Sequence, residues 1–390
     1  METTRVDQPQ IISFDNNYLI FSQIGTSFLL WIQRSRQFIL LEEPAYYVIT
    51  SYIQSVGIDL IAENCANRYG FSLSYCDSFV ADIINSFDIL ISETPTINSI
   101  NINTLNHSIQ FEFKDIYQFG DQTITISSQN NQLRHYFFTL FSHISVPSKL
   151  INNLNIELYE SNKSLMVKSE NEDTESWPID DVPHFKGAVL GKILNFIHQK
   201  TDEDWMLTLH ASGVSDGEKS ILFSAAAGAG KSTIAALLQA QGYDLLSDDF
   251  IAVDQLGFAY RFDTTISVKQ SSTQALSTYY PELNGLSLSI LANGKSVRFL
   301  PPKRAKYRAS SFPANVVVFV NYTQEIGCEL KEINHDEAVK LLLTEVFVTP
   351  NTDSVSRFMV WVNKVKFYTL SYSDSDLATL TIKCLFENDK

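Results

Sequence analysis

Ile221-Leu222-Phe223-Ser224-Ala225-Ala226-Ala227-Gly228-Ala229-Gly230-Lys231-Ser232-Thr233-Ile234-Ala235-Ala236-Leu237-Leu238 is the stretch on which the fold turns. Its first three residues form the short apolar run of a buried strand, and Ser224 to Gly230 is a loop of small residues. Lys231 to Gln241 then reads as a helix with Ile234, Leu237 and Leu238 on one face and Gly242 as its stop. Strand, small-residue loop and helix in that order present backbone N–H groups at a helix N-terminus, which attracts phosphate oxygens. Ala227, Gly228, Ala229, Gly230, Lys231, Ser232 and Thr233 are therefore the candidate nucleotide-binding residues. Lys231 adds a mobile positive charge and Ser232 offers an oxygen to Mg²⁺. Ala225 stands where the strict phosphate-loop pattern has glycine; it keeps the loop compact but tolerates positive φ less readily.

Downstream, Tyr243-Asp244-Leu245-Leu246-Ser247-Asp248-Asp249 is an apolar strand that delivers two adjacent carboxylates at its end. Open α/β sheets bind ligands at such strand ends. One carboxylate suits Mg²⁺ and the other the proton of an attacking hydroxyl, with a turn cap before Phe250 as the alternative. Upstream, His210 closes the run Met206-Leu207-Thr208-Leu209, as a structural or a catalytic residue.

Together, L-H-A-S-G-V, A-A-A-G-A-G-K-S-T and G-Y-D-L-L-S-D-D resemble the catalytic core of the HPr kinase/phosphorylase family and its related branch. The likeness extends through S-V-K-Q-S-S, V-R-F-L-P-P and Y-T-L-S-Y-S-D-S-D-L-A, over most of residues 105 to 390. It implies an ATP-binding kinase domain with a mixed sheet, ATP and Mg²⁺ as cofactors, and Lys231 and Ser232 on phosphates and metal. It further implies Asp248 as the catalytic base, Asp249 as a metal group, and His210 as a catalytic support for the carboxylates or the phosphate. The arginine-rich segment with which that family engages HPr is absent, which argues against HPr as the substrate. Lys269, Arg298 and Lys303 are further basic residues, read as solvated surface or as phosphate or substrate contacts.

The chain's 390 residues exceed one ordinary core, so two domains are expected. A net charge of −15 argues against a nucleic-acid surface. There is no basic start and no run of 18 apolar residues, so the reading is cytoplasmic with no membrane partner. Cys65, Cys76, Cys328 and Cys384 lack metal or disulfide spacing and read as reduced thiols.

Tyr18 to Leu41 holds three short apolar runs, a small antiparallel sheet, and Pro44 to Leu90 holds three helices punctuated by Gly57 and Gly70. The Ser/Thr/Asn-rich residues 91 to 104 suit a linker. The divisions are 1–92, a linker over 93–104, and a kinase-like domain over 105–390, an α+β to α/β chain overall. L-L-E-E-P-A-Y-Y-V-I and I-A-E-N-C-A-N-R-Y-G-F-S are similar to the PqqD-like peptide-recognition module. That resemblance implies a winged-helix-like domain of three strands and three helices that captures a leader peptide, with Phe38, Leu40, Phe79 and Ile83 as groove positions. The expected function is a kinase acting on a Ser/Thr hydroxyl of a ribosomally made precursor peptide or small protein. The alternatives are a small-molecule kinase or other ATP-activating enzyme of peptide biosynthesis, and a non-catalytic ATP-responsive peptide-binding protein.

Overall fold

The computed structural model describes residues 8–94, 109–151, 153–170, 172–226, 228–290, 294–324 and 327–388. Strands β1 (Gln10–Phe14), β2 (Asn17–Ile24), β3 (Ser27–Ile32) and β4 (Gln37–Leu41) form an antiparallel sheet in sequence order. Helices α1 (Glu43–Ile53), α2 (Ile58–Tyr69) and α3 (Leu73–Ser92) follow. The sheet has four strands where three are expected. The extra one, β1, is short and half-exposed, so its alternation is faint; it joins β2 through Asp15 and Asn16 at φ 50° and 55°, the backbone of a tight hairpin turn. Most of the expected linker lies outside the described residues.

Alternation along these strands makes both faces of the sheet apolar. Leu19, Phe21, Leu30, Ile32 and Leu41 pack against Ile49, Phe87 and Ile91 of α1 and α3. Ile20, Leu29 and Trp31 face the other way and join the core of the carboxy-terminal half. The β2–β3 turn is also fastened there: Thr26 N and Ser27 N donate to the Asp336 carboxylate at 3.2 and 2.9 Å.

A five-stranded sheet comes next, of β5 (Phe113–Phe119), β6 (Gln122–Ser128), β7 (Asn153–Ser161), β8 (Ser164–Ser169) and β9 (Glu175–Pro178). Its parallel pair, β6 and β7, is bridged by α4 (Asn131–Phe141), the crossover that parallel pairing requires. Helix α5 (Val182–His198) covers it, with Pro183 in its first turn, where a missing N–H costs nothing.

The last unit is built on ten strands: β10 (Trp205–Leu209), β11 (Ala211–Ser215), β12 (Ser220–Ser224), β13 (Asp244–Ser247), β14 (Ile251–Asp254), β15 (Phe258–Tyr260), β19 (Ser311–Tyr322), β20 (Cys328–Glu332), β21 (Val346–Val348) and β22 (Lys366–Tyr372). A small separate sheet comprises β16 (Ile266–Lys269), β17 (Ser289–Ile290) and β18 (Ser296–Leu300). The helices are α6 (Lys231–Ala240), α7 (Thr273–Ser277), α8 (His335–Leu342), α9 (Thr352–Val362) and α10 (Ser375–Asn388). Both faces of the large sheet are buried, which is why its central strands read as continuous apolar runs. Ile221, Phe223, Val316 and Val318 face α6 and α10, while Leu222, Val317 and Phe319 face α8 and α9.

Strand pairing brings four chain segments to one end of this sheet. β11 runs antiparallel to both β12 and β13, so the C-termini of β12 and β13 lie beside the N-terminus of β11. β10 ends at that point, and β21 begins opposite it with Leu209 paired to Val346. The chain is thus mixed α and β, and among its described residues no helix is long and apolar enough to cross a membrane.

Candidate active site

The loop after β12 leads into α6, which has no side-chain N-cap, so its first-turn N–H groups are left for a ligand. Gly228 and Gly230 have φ of 103° and 110°, a region that side chains rarely enter. Tyr322 N donates to Ala229 O at 2.9 Å, tying the loop to β19. Lys231 is 5% exposed; its Nζ donates to Ala225 O at 2.6 Å and lies 3.2 Å from His210 Nε2. Burial lowers its pKa, against the opposing pull of Asp249, Glu345 and Asp248. Thr233 Oγ1 donates to Ser272 Oγ at 2.9 Å, so that hydroxyl braces a neighbouring segment. Ala227 lies outside the described residues.

The two aspartates differ sharply. Asp248 is 3% exposed, and both its carboxylate oxygens are engaged, one by Ser212 Oγ and the other by Ser267 N at 2.8 Å. Burial first and the Asp249 charge second push its pKa up to about 7. The Ser232 hydroxyl also lies beside it. Asp249 has φ 64° and a side chain 48% exposed, with Oδ1 3.5 Å from His210 Nε2. Burial would raise its pKa, but His210, Lys231 and Lys186 outweigh that and hold it below the usual carboxylate range.

His210 is held by a residue that no local motif announces. Its backbone N donates to Glu345 O at 2.9 Å, and its Nδ1 lies 2.7 Å from Glu345 Oε2. This follows from the β10–β21 register, a pairing between segments far apart in sequence. The carboxylate fixes the ring so that Nε2 faces Asp249 and Lys231. The Asp249 hydrogen bond raises the His210 pKa, against burial and Lys231. Glu345→Gln is expected to move the His210 titration to lower pH, read from its imidazole resonances, because the glutamate also favours the charged ring. An unshifted titration would show that the two side chains are not coupled.

The structure therefore gathers His210, Lys231, Ser232, Asp248 and Asp249 at one sheet end. Of the other basic residues, Arg298 Nη1 donates to Gln270 Oε1 at 2.6 Å and Lys303 Nζ sits 4.7 Å from the Tyr280 ring centre. Lys269 instead reaches the loop. The four expected groove residues do not come together. Phe38 and Leu40 lie on the β4 face that packs on the carboxy-terminal core, with the Phe38 ring 5.4 Å from Phe358. Phe79 and Ile83 belong to α3, across the sheet. Ile39 and Leu41 are the β4 residues facing those helices, so the expectation is off by one residue in strand phase. A cleft of about 250 Å³ lies on the Phe38 side, lined by Trp31, Arg36, Phe38, Val346, Phe347 and Val348 among others.

No protein-family model matches the chain, and no curated protein matches it. Among solved structures it is similar to the Hpr(Ser) kinase/phosphatase from Coxiella burnetii. The identity is 11%, the match covers 47% of this chain and 95% of that one, and the TM-score is 0.22.

Proposed function

We propose that the chain is an ATP-dependent phosphotransferase that passes the γ-phosphoryl group to a Ser/Thr hydroxyl of a peptide. The observation that carries this reading is the convergence, at one sheet end, of a helix-N-terminal small-residue loop with Lys231 and an accessible carboxylate, Asp249, braced by His210 and Glu345. The acceptor oxygen forms a bond to the γ-phosphorus, the bond to the β–γ bridging oxygen breaks, and the acceptor proton goes to Asp249. Geometry precedes pKa in choosing a base: Asp249 can be reached by a substrate hydroxyl, whereas Asp248 is enclosed. Asp248 accordingly takes the metal side with Ser232, the reverse of the family-derived expectation. Among the described residues no cluster of three or more His, Cys, Asp or Glu could hold a metal ion. One carboxylate and one hydroxyl are what Mg²⁺ needs when substrate phosphates complete its shell, and there it would supply charge neutralisation.

A peptide acceptor is supported by the PqqD-like resemblance of residues 15 to 90 and by β4, which has no strand on its outer side among the described residues. An extended segment could add there by backbone pairing. The test is incubation with γ-labelled and α-labelled ATP and candidate precursor peptides. Label arriving from the γ position alone, on Ser or Thr, is the expected result. Label from the α position would mean nucleotidyl transfer, and tight ATP binding without transfer would leave only an ATP-responsive binding protein.

A further inference from the structure

Strand β16 packs against Asp248. Ser267 N donates to Asp248 Oδ2 at 2.8 Å, and Lys269 lies two residues further along the same face of the strand. The chain then turns through Gln270–Ser272, where Ser272 Oγ accepts from Thr233 Oγ1 in the first turn of α6. The backbone at Lys269 is thus positioned from both sides, and its ammonium lies beside the loop. A Cβ on Gly228 would stand 3.2 Å from Lys269 Nζ, with no other side chain nearby.

This lysine differs from Lys231 in what it touches. Lys231 engages Ala225 O and His210. The Lys269 ammonium makes no hydrogen bond or ion pair among the described residues, although the residue is half-buried. Burial and Lys295 lower its pKa, and only the longer-range fields of Asp249 and Asp248 oppose them. A partly desolvated ammonium without a contacting anion is costly unless a ligand completes it.

We infer that Lys269 is the ligand of the terminal phosphate and makes the site select a nucleoside triphosphate over a diphosphate. The inference rests on the phosphotransferase reading. Its basis is position: Lys269 lies between the Gly228 backbone and the Asp248–Asp249 pair. The group being transferred must lie between the loop that holds the donor and the carboxylate that receives the acceptor's proton. Lys231, at the start of α6, feels the same aspartates but is already held by Ala225 O and His210, whereas Lys269 approaches from the β16 side.

The experiment is equilibrium binding, by displacement of a fluorescent nucleotide with Mg²⁺ present, of ADP and of β,γ-imido-ATP. Lys269→Met is expected to weaken the triphosphate by about ten- to a hundredfold, the range for a hydrogen bond to a charged group, while ADP affinity stays within about twofold. Lys269→Arg should restore most of the preference. Unchanged ADP binding also reports that the variant is folded, and Lys269→Gln serves if Met at this position compromises folding. Equal weakening of both nucleotides, or of neither, would overturn the inference. A wild-type chain that binds no nucleotide would instead sink the phosphotransferase reading, so the two failures are distinct.

Discussion

Asp249→Asn is expected to slow phosphoryl transfer by about 10²- to 10⁴-fold, the usual contribution of a positioned base, while leaving nucleotide affinity nearly unchanged. The substitution is geometrically mild. Asp249 has φ 64°, a left-handed conformation that Asn adopts as readily as Asp, so the backbone should hold. Its side chain is 48% exposed, and the buried Lys231 ammonium keeps its hydrogen bond to Ala225 O and the nearby Glu345 and Asp248 charges. What is lost is the oxygen that would accept the acceptor's proton. His210 and Lys231 hold Asp249 in its ionised, proton-accepting form.

Asp248→Asn should behave differently. Its carboxylate is enclosed by Ser212 Oγ and Ser267 N, beside Ser232, so the loss should fall on Mg²⁺-dependent nucleotide binding. Single-turnover transfer and nucleotide binding, measured on both variants, separate the assignments. If Asp248→Asn stops transfer with binding intact and Asp249→Asn does not, Asp248 is the base and the accessibility argument is wrong. The raised Asp248 pKa, about 7, favours that reading on protonation alone. A metal beside Asp248 would draw it down.

What the sequence makes legible here is what is contiguous. The strand, loop and helix around Lys231 and the Asp-Asp strand end occupy short windows, so residue type and spacing suffice to mark them. Glu345 is invisible for the opposite reason: it meets His210 only through the pairing of β10 with β21, and one glutamate beside Val346-Phe347-Val348 has no local pattern to mark it. Strand phase fails at β4 for a related cause. Phe38, Ile39, Leu40 and Leu41 are all apolar because the sheet packs on both faces, so alternation does not say which pair meets α3. Lys269 is one basic residue among several in the sequence, and only the fold separates it from Arg298 and Lys303.

Gly230→Ala is expected to reduce nucleotide affinity by about a hundredfold or more and to lower the melting temperature. Two costs combine. At φ 110° an alanine is strained by about 1–3 kcal/mol wherever it stands. Its Cβ would also come within 2.6 Å of Tyr372 Oη, closer than any real contact allows. Tyr372 cannot give way: it is fully buried at the end of β22, with Tyr322 packed against its ring. The loop must move instead, and it carries the N–H groups aimed at the ligand. Gly228→Ala has a similar φ, but its Cβ would meet only the flexible tip of Lys269 at 3.2 Å, so its loss should be smaller. The two costs at Gly230 can be separated by pairing the substitution with Tyr372→Phe, which removes the oxygen and leaves ring atoms no closer than 3.4 Å. Partial recovery of binding in the double variant, measured against Tyr372→Phe alone, is expected, with the φ strain as the remainder. No recovery would mean that backbone conformation alone sets the loop, and wild-type affinity in Gly230→Ala itself would mean that these N–H groups do not hold phosphate.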